Sequence, residues 1–411
     1  MATGHDHADP SELVPLEAQR REVLERIAPL EPLELSLLEA HGCVLAEDAV
    51  AREDVPGFAN SAMDGYAVRT DAVGDGAELK VAGEVAAGTA SERTLQPGEA
   101  MGIMTGAPLP PGADAVVPIE EVTERGDRVV IDRAPRVGAH VRPAGESARA
   151  GETVLEAGRR LGAADVGMLA ACGLAFVRAH PRPRVAVIST GDELVEPGRP
   201  LGPGQIRDSN SYTLVAAARD AGAMSFRQMF VRDDRRALAE AFEGALATSD
   251  MLVVSGGVSA GRYDFVKRVL AEMGDVTFRK VAIKPGMPQA FGFVSDVPCF
   301  GLPGNPVSAF VSFEIFVRPA IRRLQGRADL NRPRVRARLE ASVRSSAHRV
   351  EFVRVRLWRG DDGWRAASTG EQGSGILRSA VDADGLAEIG VGRDHVEAGE
   401  SVVVHLLSDP T

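Results

Sequence analysis

The apolar positions of this chain change their period several times along its length. In residues 15–28, Leu16, Val23, Leu24 and Ile27 fall at i, i+7, i+8 and i+11. That spacing predicts an amphipathic helix with a charged outer face, too short to stand alone. Between residues 55 and 145 glycine and proline recur every few positions and apolar runs are short, which predicts a β-rich module with many turns. Residues 151–175 have the pattern of a connecting helix closed by Gly173.

From Arg184 the pattern becomes strand–loop–helix. RVAVIS (184–189), MSFRQMFV (224–231), MLVVS (251–255) and PCFGL (298–302) read as strands. Asp234 is placed to cap a helix whose Leu238, Phe242, Ala245 and Leu246 share a face. Ser209 or Asn210 caps another, with Gly222 as its stop, and Pro306 opens a third that runs to Pro319. From Arg332 the period falls to two: Val335, Ala337 and Leu339 alternate with Arg334, Arg336 and Arg338, and Phe352, Val355 and Leu357 mark a second strand.

The predicted fold is therefore multidomain, α/β plus β. A central doubly wound, mostly parallel α/β domain is expected over 179–327, and a Gly-rich β module over 46–146. A discontinuous helical connecting domain is assigned to 11–45 and 147–178, and a small antiparallel β domain to 328–411.

Composition narrows the function. The 411 residues carry 47 basic and 58 acidic side chains, 47 − 58 = −11 net, so the average field repels nucleic acid and anionic membranes. Hydrophobics at 44% and charged residues at 26% argue against wholesale disorder. Cys43, Cys172 and Cys299 form no C-x-x-C pair and sit among apolar neighbours, which suits buried thiols in a reducing compartment. The first ten residues are polar, without the charged-then-apolar secretory pattern, and no apolar run approaches a membrane span, so a cytoplasmic protein is expected. His5 and His7 flank Asp6 there and read as part of a frayed tail.

Four polar loops leave the strands of the α/β region: Thr190-Gly191-Asp192-Glu193, Ser255-Gly256-Gly257-Val258-Ser259 followed by Asp264, Pro285-Gly286-Met287-Pro288, and Pro303-Gly304-Asn305-Pro306. Any one alone is a tight turn. Four at one sheet edge predict a site whose backbone N–H groups face phosphate or oxyanion. Lys280 and Lys284, four apart, would share a face of one strand and hold an anion between them. Asp64, Glu193 and Asp264, beside small residues, suit Mg²⁺ that keeps several waters. Gly257-Val258-Ser259-Ala260-Gly261 matches G-x-S-x-G, but Ser255 and Gly256 separate it from the strand, and His348, His395 and His405 fall in the β-rich tail, which disfavours a serine hydrolase. No Walker A or dinucleotide-binding fingerprint is present.

Seven segments in this order, NSAMDGYAV (60–68), MTGAPLPPGADAVVPIEE (104–121), VISTGDEL (187–194), IRDSNS (206–211), SGGVSAGRYD (255–264), KVAIKPGMPQAFG (280–292) and GLPGNPVSAF (301–310), resemble the molybdenum insertase family, bacterial MoeA and the E domain of gephyrin-type proteins. The resemblance implies insertion of molybdate into adenylylated molybdopterin with release of AMP, assisted by Mg²⁺. It implies a homodimer whose site lies between the α/β domain of one subunit and the Gly-rich module of the other. A molybdopterin adenylyltransferase and cofactor-receiving molybdoenzymes or chaperones would be its partners.

Carried over by position, Asp64, Thr105, Glu193, Asp264, Lys280 and Lys284 are the implied catalytic residues, with Asp64, Glu193 and Asp264 on the metal. Thr190, Gly191, Asp192, Ser255, Gly256, Gly257, Ser259, Pro303, Gly304, Asn305, Pro306, Ser374 and Arg354 (or Arg349) are the implied substrate contacts. The chain departs from the family pattern in having Ser147 where an aspartate is usual and Met287 where bacterial relatives often carry lysine. Tungstate insertion and a non-enzymatic scaffold, as in gephyrin-type proteins, are the alternatives.

Overall fold

The computed structural model describes residues 12–228, 231, 234–257 and 265–408. Two compact units result: Met1–Leu33 with His180–Thr411, and Glu34–Ala179.

The first unit is built on a six-stranded sheet: β1 (Arg184–Ser189), β2 (Met224–Arg227), β3 (Met251–Ser255), β4 (Asp275–Lys280), β5 (Pro288–Val294) and β6 (Val297–Leu302). The spatial order is β2-β1-β3-β6-β5-β4. β2, β1, β3 and β6 pair in parallel, and β5 runs antiparallel to both β6 and β4. Ala186, Ile188, Leu252 and Val254 enter the core on one face, while Val185, Val187, Met251 and Val253 enter that on the other, as two-sided burial of a parallel sheet demands. Helix Arg235–Leu246 begins where Asp234 accepts from the Ala237 N–H at 2.9 Å, the predicted cap. Helix Asn210–Asp220 is started instead by Asp208, whose carboxylate accepts from the Ser211 N–H at 3.1 Å and its hydroxyl at 2.5 Å.

Three expectations need correction here. Helix Leu16–Arg26 buries Leu16 and Val23, with Ile27 just beyond its end, in the α/β core against Phe313–Val317 and Arg318–Leu324, rather than joining residues 147–178. The helix opened by Pro306 does not end at Pro319. The chain stays helical to Leu324, with a π turn over Phe313–Val317 just ahead of the proline. Proline has no N–H and its ring collides with the carbonyl four residues back; the wider turn absorbs both problems. The C-terminal sheet is closed and not wholly antiparallel. Strands Val350–Gly360, Gly363–Ser368, Arg334–Leu339, Ser401–Leu406 and Gly385–Ile389 pair in a ring, and Arg334–Leu339 runs parallel to Gly363–Ser368. Ala337, Leu339, Val353, Val355 and Val404 fill its interior, while Phe352, on the opposite face of its strand, packs into the α/β core.

In the second unit, a six-stranded sheet runs Ala115–Pro118, Gly65–Val68, Glu99–Ile103, Ala77–Val85, Arg128–Ile131, Val122–Arg125. Its two faces bury separate apolar sets, one including Ala67, Met101 and Val116 and the other Val68, Ala100 and Val117. Gly65 is needed for closeness: a Cβ there would lie 2.0 Å from the Val117 carbonyl oxygen. Helix Ala163–Ala171 is closed by Gly173 at φ +76°, the stop read from the sequence. Among the described residues no helix is long and apolar enough to cross a membrane.

Candidate functional site

A cavity of about 550 Å³ opens at the carboxyl ends of β1, β3 and β6. The chain moves from β1 outward to β2 and then back to β3 on the other side, so β1 and β3 flank a point of topological reversal, where open α/β sheets leave a crevice. Its lining includes Ser189, Thr190, Gly191 and Glu193 after β1, Ser255, Gly256 and Gly257 after β3, and Gly304 and Pro306 after β6. Gly375 and Leu377 arrive from the C-terminal domain.

The loops are braced by hydrogen bonds among themselves. The Thr190 N–H donates to the Ser255 carbonyl at 3.0 Å and the Gly256 N–H to the Leu302 carbonyl at 3.1 Å. Asn210 Nδ2 reaches two loops at once, donating to Ser255 Oγ at 2.9 Å and to the Gly304 carbonyl at 2.7 Å. Ser255 Oγ donates in turn to the Pro303 carbonyl at 3.2 Å. Gly256 sits at φ +99°, and a Cβ there would lie 2.6 Å from the Thr190 carbonyl oxygen. Against this bracing two hydroxyls stand out: Ser189 Oγ and Thr190 Oγ1 are buried and lack a hydrogen-bond partner. A buried hydroxyl left unpaired is costly, so a pocket whose lining includes two residues with such hydroxyls is suited to a polar ligand.

The predicted contacts sort as follows. Thr190, Gly191, Glu193, Ser255, Gly256, Gly257, Gly304 and Pro306 line the cavity together. Asp192 is exposed on the same turn, Pro303 is buried behind it, and Asn305 Nδ2 donates to Ser374 Oγ at 3.1 Å, tying the Pro303-to-Pro306 loop to the C-terminal domain. Ser259 and Asp264 lie outside the described residues.

Arg354 does not line the cavity. It is fully buried, with Nε donating to Ser379 Oγ at 3.2 Å and Nη1 to the Phe352 carbonyl at 3.3 Å. Burial pulls its guanidinium down to about 10, with the charge of Glu351 opposing the fall. Nη2 reaches the Gly373 carbonyl at 3.5 Å, so Arg354 shapes the 373–377 loop that borders the cavity. Met287, noted in the sequence as a departure from the pattern it resembles, is buried, 6% exposed.

The lysine pair also departs from expectation. Lys280 ends β4, whereas Lys284 belongs to a two-residue strand, Ile283–Lys284, paired in parallel with Val350 and Glu351 of the C-terminal sheet. Neither lysine lines the cavity. The chain turns out of β4 at Val281, whose carbonyl accepts from the Ile283 N–H at 2.7 Å, so the period-two argument does not span the pair. Lys280 Nζ lies 3.9 Å from Glu12 Oε2, and Lys284 Nζ 3.0 Å from Glu351 Oε1.

In the other unit, Asp64 precedes strand Gly65–Val68 and Thr105 follows strand Glu99–Ile103. The register pairs Gly65 with Ile103, which brings both to one sheet end. One oxygen, Asp64 Oδ1, accepts from the Thr105 N–H at 2.6 Å and from its hydroxyl at 2.8 Å. The backbone bond first, and the hydroxyl bond second, hold the Asp64 carboxyl below the usual range. Both residues are exposed.

Sequence reasoning gave Ser189, Arg207 and Asp208 no place in the site and read Asn210 only as a candidate helix cap. The signal was there: IRDSNS places five polar residues in a row at the start of a helix that follows the first glycine-rich turn. Asp208 is spent on structure, held by Ser211 and lying 3.5 Å from Arg227. Among the described residues no group of three His, Cys, Asp or Glu could hold a metal by itself.

Comparison with known proteins agrees with this architecture along the whole chain. Residues 14–173 match the MoeA N-terminal region (domain I and II), 186–323 a probable molybdopterin binding domain, and 336–407 the MoeA C-terminal region (domain IV). Molybdopterin molybdenumtransferase 2 of Mycobacterium tuberculosis is 42% identical over 400 residues, covering 95% of this chain and 98% of the relative. Molybdopterin molybdenumtransferase of Haemophilus influenzae is 36% identical, covering 96% and 100%. The crystal structure of a molybdopterin biosynthesis MoeA protein from Pyrococcus horikoshii superposes with a TM-score of 0.81 at 35% identity, covering 97% of this chain and all (100%) of that one. Three matched regions in order, full-length relatives and a full-length structural match place this chain in the MoeA family of molybdopterin molybdenumtransferases.

Proposed function

We propose that this protein completes the molybdenum cofactor: it takes molybdate and adenylylated molybdopterin, leaves molybdenum on the pterin's sulfurs and releases AMP. The observation that carries this reading is the cavity between β1 and β3, where Ser189 Oγ and Thr190 Oγ1 lie buried and unpartnered among glycine-rich turns. Its volume, about 550 Å³, suits a ligand of small-molecule size. Thr190, Gly191, Ser255, Gly256 and Gly304 would cradle the phosphate-bearing substrate, Pro303 and Pro306 would cover it, and Asn305 with Ser374 would fix the covering loop.

Bringing an oxyanion to a phosphate ester crowds negative charge, and Lys280 and Lys284, which do not themselves line the cavity, are the cations proposed to screen it from beyond the lining. Glu193 is exposed at the cavity and offers one carboxylate. That fits Mg²⁺ held chiefly by water and substrate phosphate, and the ion would add screening there. The ionised Asp64, fixed by Thr105, is proposed to serve the site of the partner subunit in a homodimer. An adenylyltransferase would supply the substrate and molybdoenzymes or their chaperones would take the product, in the cytoplasm.

The test is direct. Purified protein mixed with adenylylated molybdopterin, molybdate and Mg²⁺ releases AMP, read by chromatography, and light scattering gives twice the chain mass. Folded protein that releases no AMP overturns the reading.

A further inference from the structure

Glu351 is a buried carboxylate for which neither the sequence nor the proposed chemistry has so far found a use. It shares a strand face with Val353 and Val355 of the barrel interior, and its side chain is only 4% exposed. An ionisable group buried so deeply is rare unless paired. Its direct ion-pair partner is Lys284: the parallel register sets Lys284 beside Glu351, and Nζ lies 3.0 Å from Oε1, while the buried Arg354 guanidinium also feels the charge of Glu351. The pair is lopsided. The carboxylate is inside, whereas the Lys284 side chain is 43% exposed, so the ammonium sits at the surface with two further N–H donors. The second oxygen, Glu351 Oε2, is buried with no hydrogen-bond partner. A residue kept only to fasten two strands would be better served by an apolar pair, because desolvation of a buried charge offsets its attraction.

We infer that Glu351 is the positioning residue of Lys284: it anchors one N–H of the ammonium from within the barrel and leaves the other two turned outward for an oxyanion or phosphate. The inference rests on the reading of Lys284 as an anion-holding lysine. Lysine is a flexible point charge on a four-carbon stem, and holding one is costly in side-chain entropy. A fixed carboxylate behind it removes that cost before the anion arrives, which raises affinity without adding a contact to the ligand. The ion pair also joins the Ile283–Lys284 strand, which follows β4, to the C-terminal domain, so the position of the cation depends on both.

A double-mutant cycle on the full-length protein tests this. K284A, E351Q and the double variant are compared for the KM of molybdate and for kcat in AMP release, with thermal melting recorded for each. Losing one charge-assisted hydrogen bond predicts that K284A and E351Q each raise the molybdate KM about tenfold, and that the double variant is no worse than K284A. E351D keeps the buried charge but withdraws the oxygen from Nζ; it should melt closer to wild type than E351Q and still show a raised KM. A normal molybdate KM in both E351Q and E351D, or losses that add in the double variant, overturns the inference while leaving Lys284 in the site. If K284A itself has a normal KM, the anion-holding role of Lys284 falls, and this inference with it.

Discussion

Thr105 gives both its backbone N–H and its hydroxyl to a single oxygen of Asp64, at 2.6 and 2.8 Å. The second oxygen is left for other work. The backbone bond is the larger cause of the lowered Asp64 pKa, so removing the hydroxyl alone should undo only part of it. Thr105→Val is expected to move the Asp64 pKa upward, but not fully to the ordinary aspartate range, by carbon-13 NMR of the carboxyl group. Because the folded pKa is lowered, the Asp64–Thr105 bonds favour the folded state above the unfolded pKa and lose this effect as pH falls through the folded one. An unmoved titration in Thr105→Val would remove the hydroxyl bond from the account.

Asn210 bridges the ends of β3 and β6 with one amide group. Asn210→Ala deletes two hydrogen bonds at about 1 kcal/mol each, so a loss of about 2 kcal/mol in denaturant unfolding is expected. The same variant should bind AMP more weakly by calorimetry, because the loops after β3 and β6 lose their common brace. A destabilised protein with unchanged affinity would mean that the brace serves the fold alone.

Gly256 stands in the left-handed region with the Thr190 carbonyl oxygen 2.6 Å from where a Cβ would be. Gly256→Ala therefore meets both backbone strain of about 1–2 kcal/mol and a clash with rigid main chain. Relief of that clash displaces Thr190, so AMP release should be lost while the variant still folds with a lowered melting temperature. Full activity in Gly256→Ala would show that the turn after β3 is not part of the site.

Glu314 lies buried between Arg318 and Arg332, accepting from Arg318 Nε at 2.6 Å and from Arg332 Nε at 2.9 Å. Burial pushes its carboxyl up, but the two arginines together outweigh burial and hold it below the ordinary glutamate range. The stability it contributes is therefore present above the unfolded pKa and lost as pH falls through the lowered folded pKa. Glu314→Gln leaves two guanidinium groups without their counter-charge, at a cost of about 3–5 kcal/mol. The acid limb of the stability profile should flatten in this variant, as measured by urea unfolding across pH; an unchanged slope would show that Glu314 does not govern acid sensitivity.

Much of the site was legible because strands ending in glycine-rich turns have a defined geometry. Thr190 and Gly191, Ser255 to Gly257, and Gly304 with Pro306 stand at the carboxyl ends of β1, β3 and β6 and do converge. What the sequence hid is what depends on non-local contacts. The spacing of Lys280 and Lys284 implied one strand, but the turn at Val281 sends Lys284 to a strand more than sixty positions away in sequence. Arg354 has the composition of a ligand contact, and only the packing of the C-terminal domain on the α/β core shows its guanidinium enclosed. The expected alternation over 351–355 fails for the same reason: both faces of that strand are covered. Pro319 suggested a helix end, and a π turn was the unread alternative.

The placement of helix Leu16–Arg26 in the α/β core has a consequence for synthesis. This segment precedes the helical stretches it packs against, Phe313–Val317 and Arg318–Leu324, by roughly three hundred positions. Glu34–Ala179 can gather its own apolar sets in the interval, since those draw on its own residues. Closing so long a loop adds little entropy beyond closing a shorter one, because the cost grows only with the logarithm of length. This helix is thus made well before its seat, and until then Val23 and Ile27 are apolar surface that the nascent chain must carry.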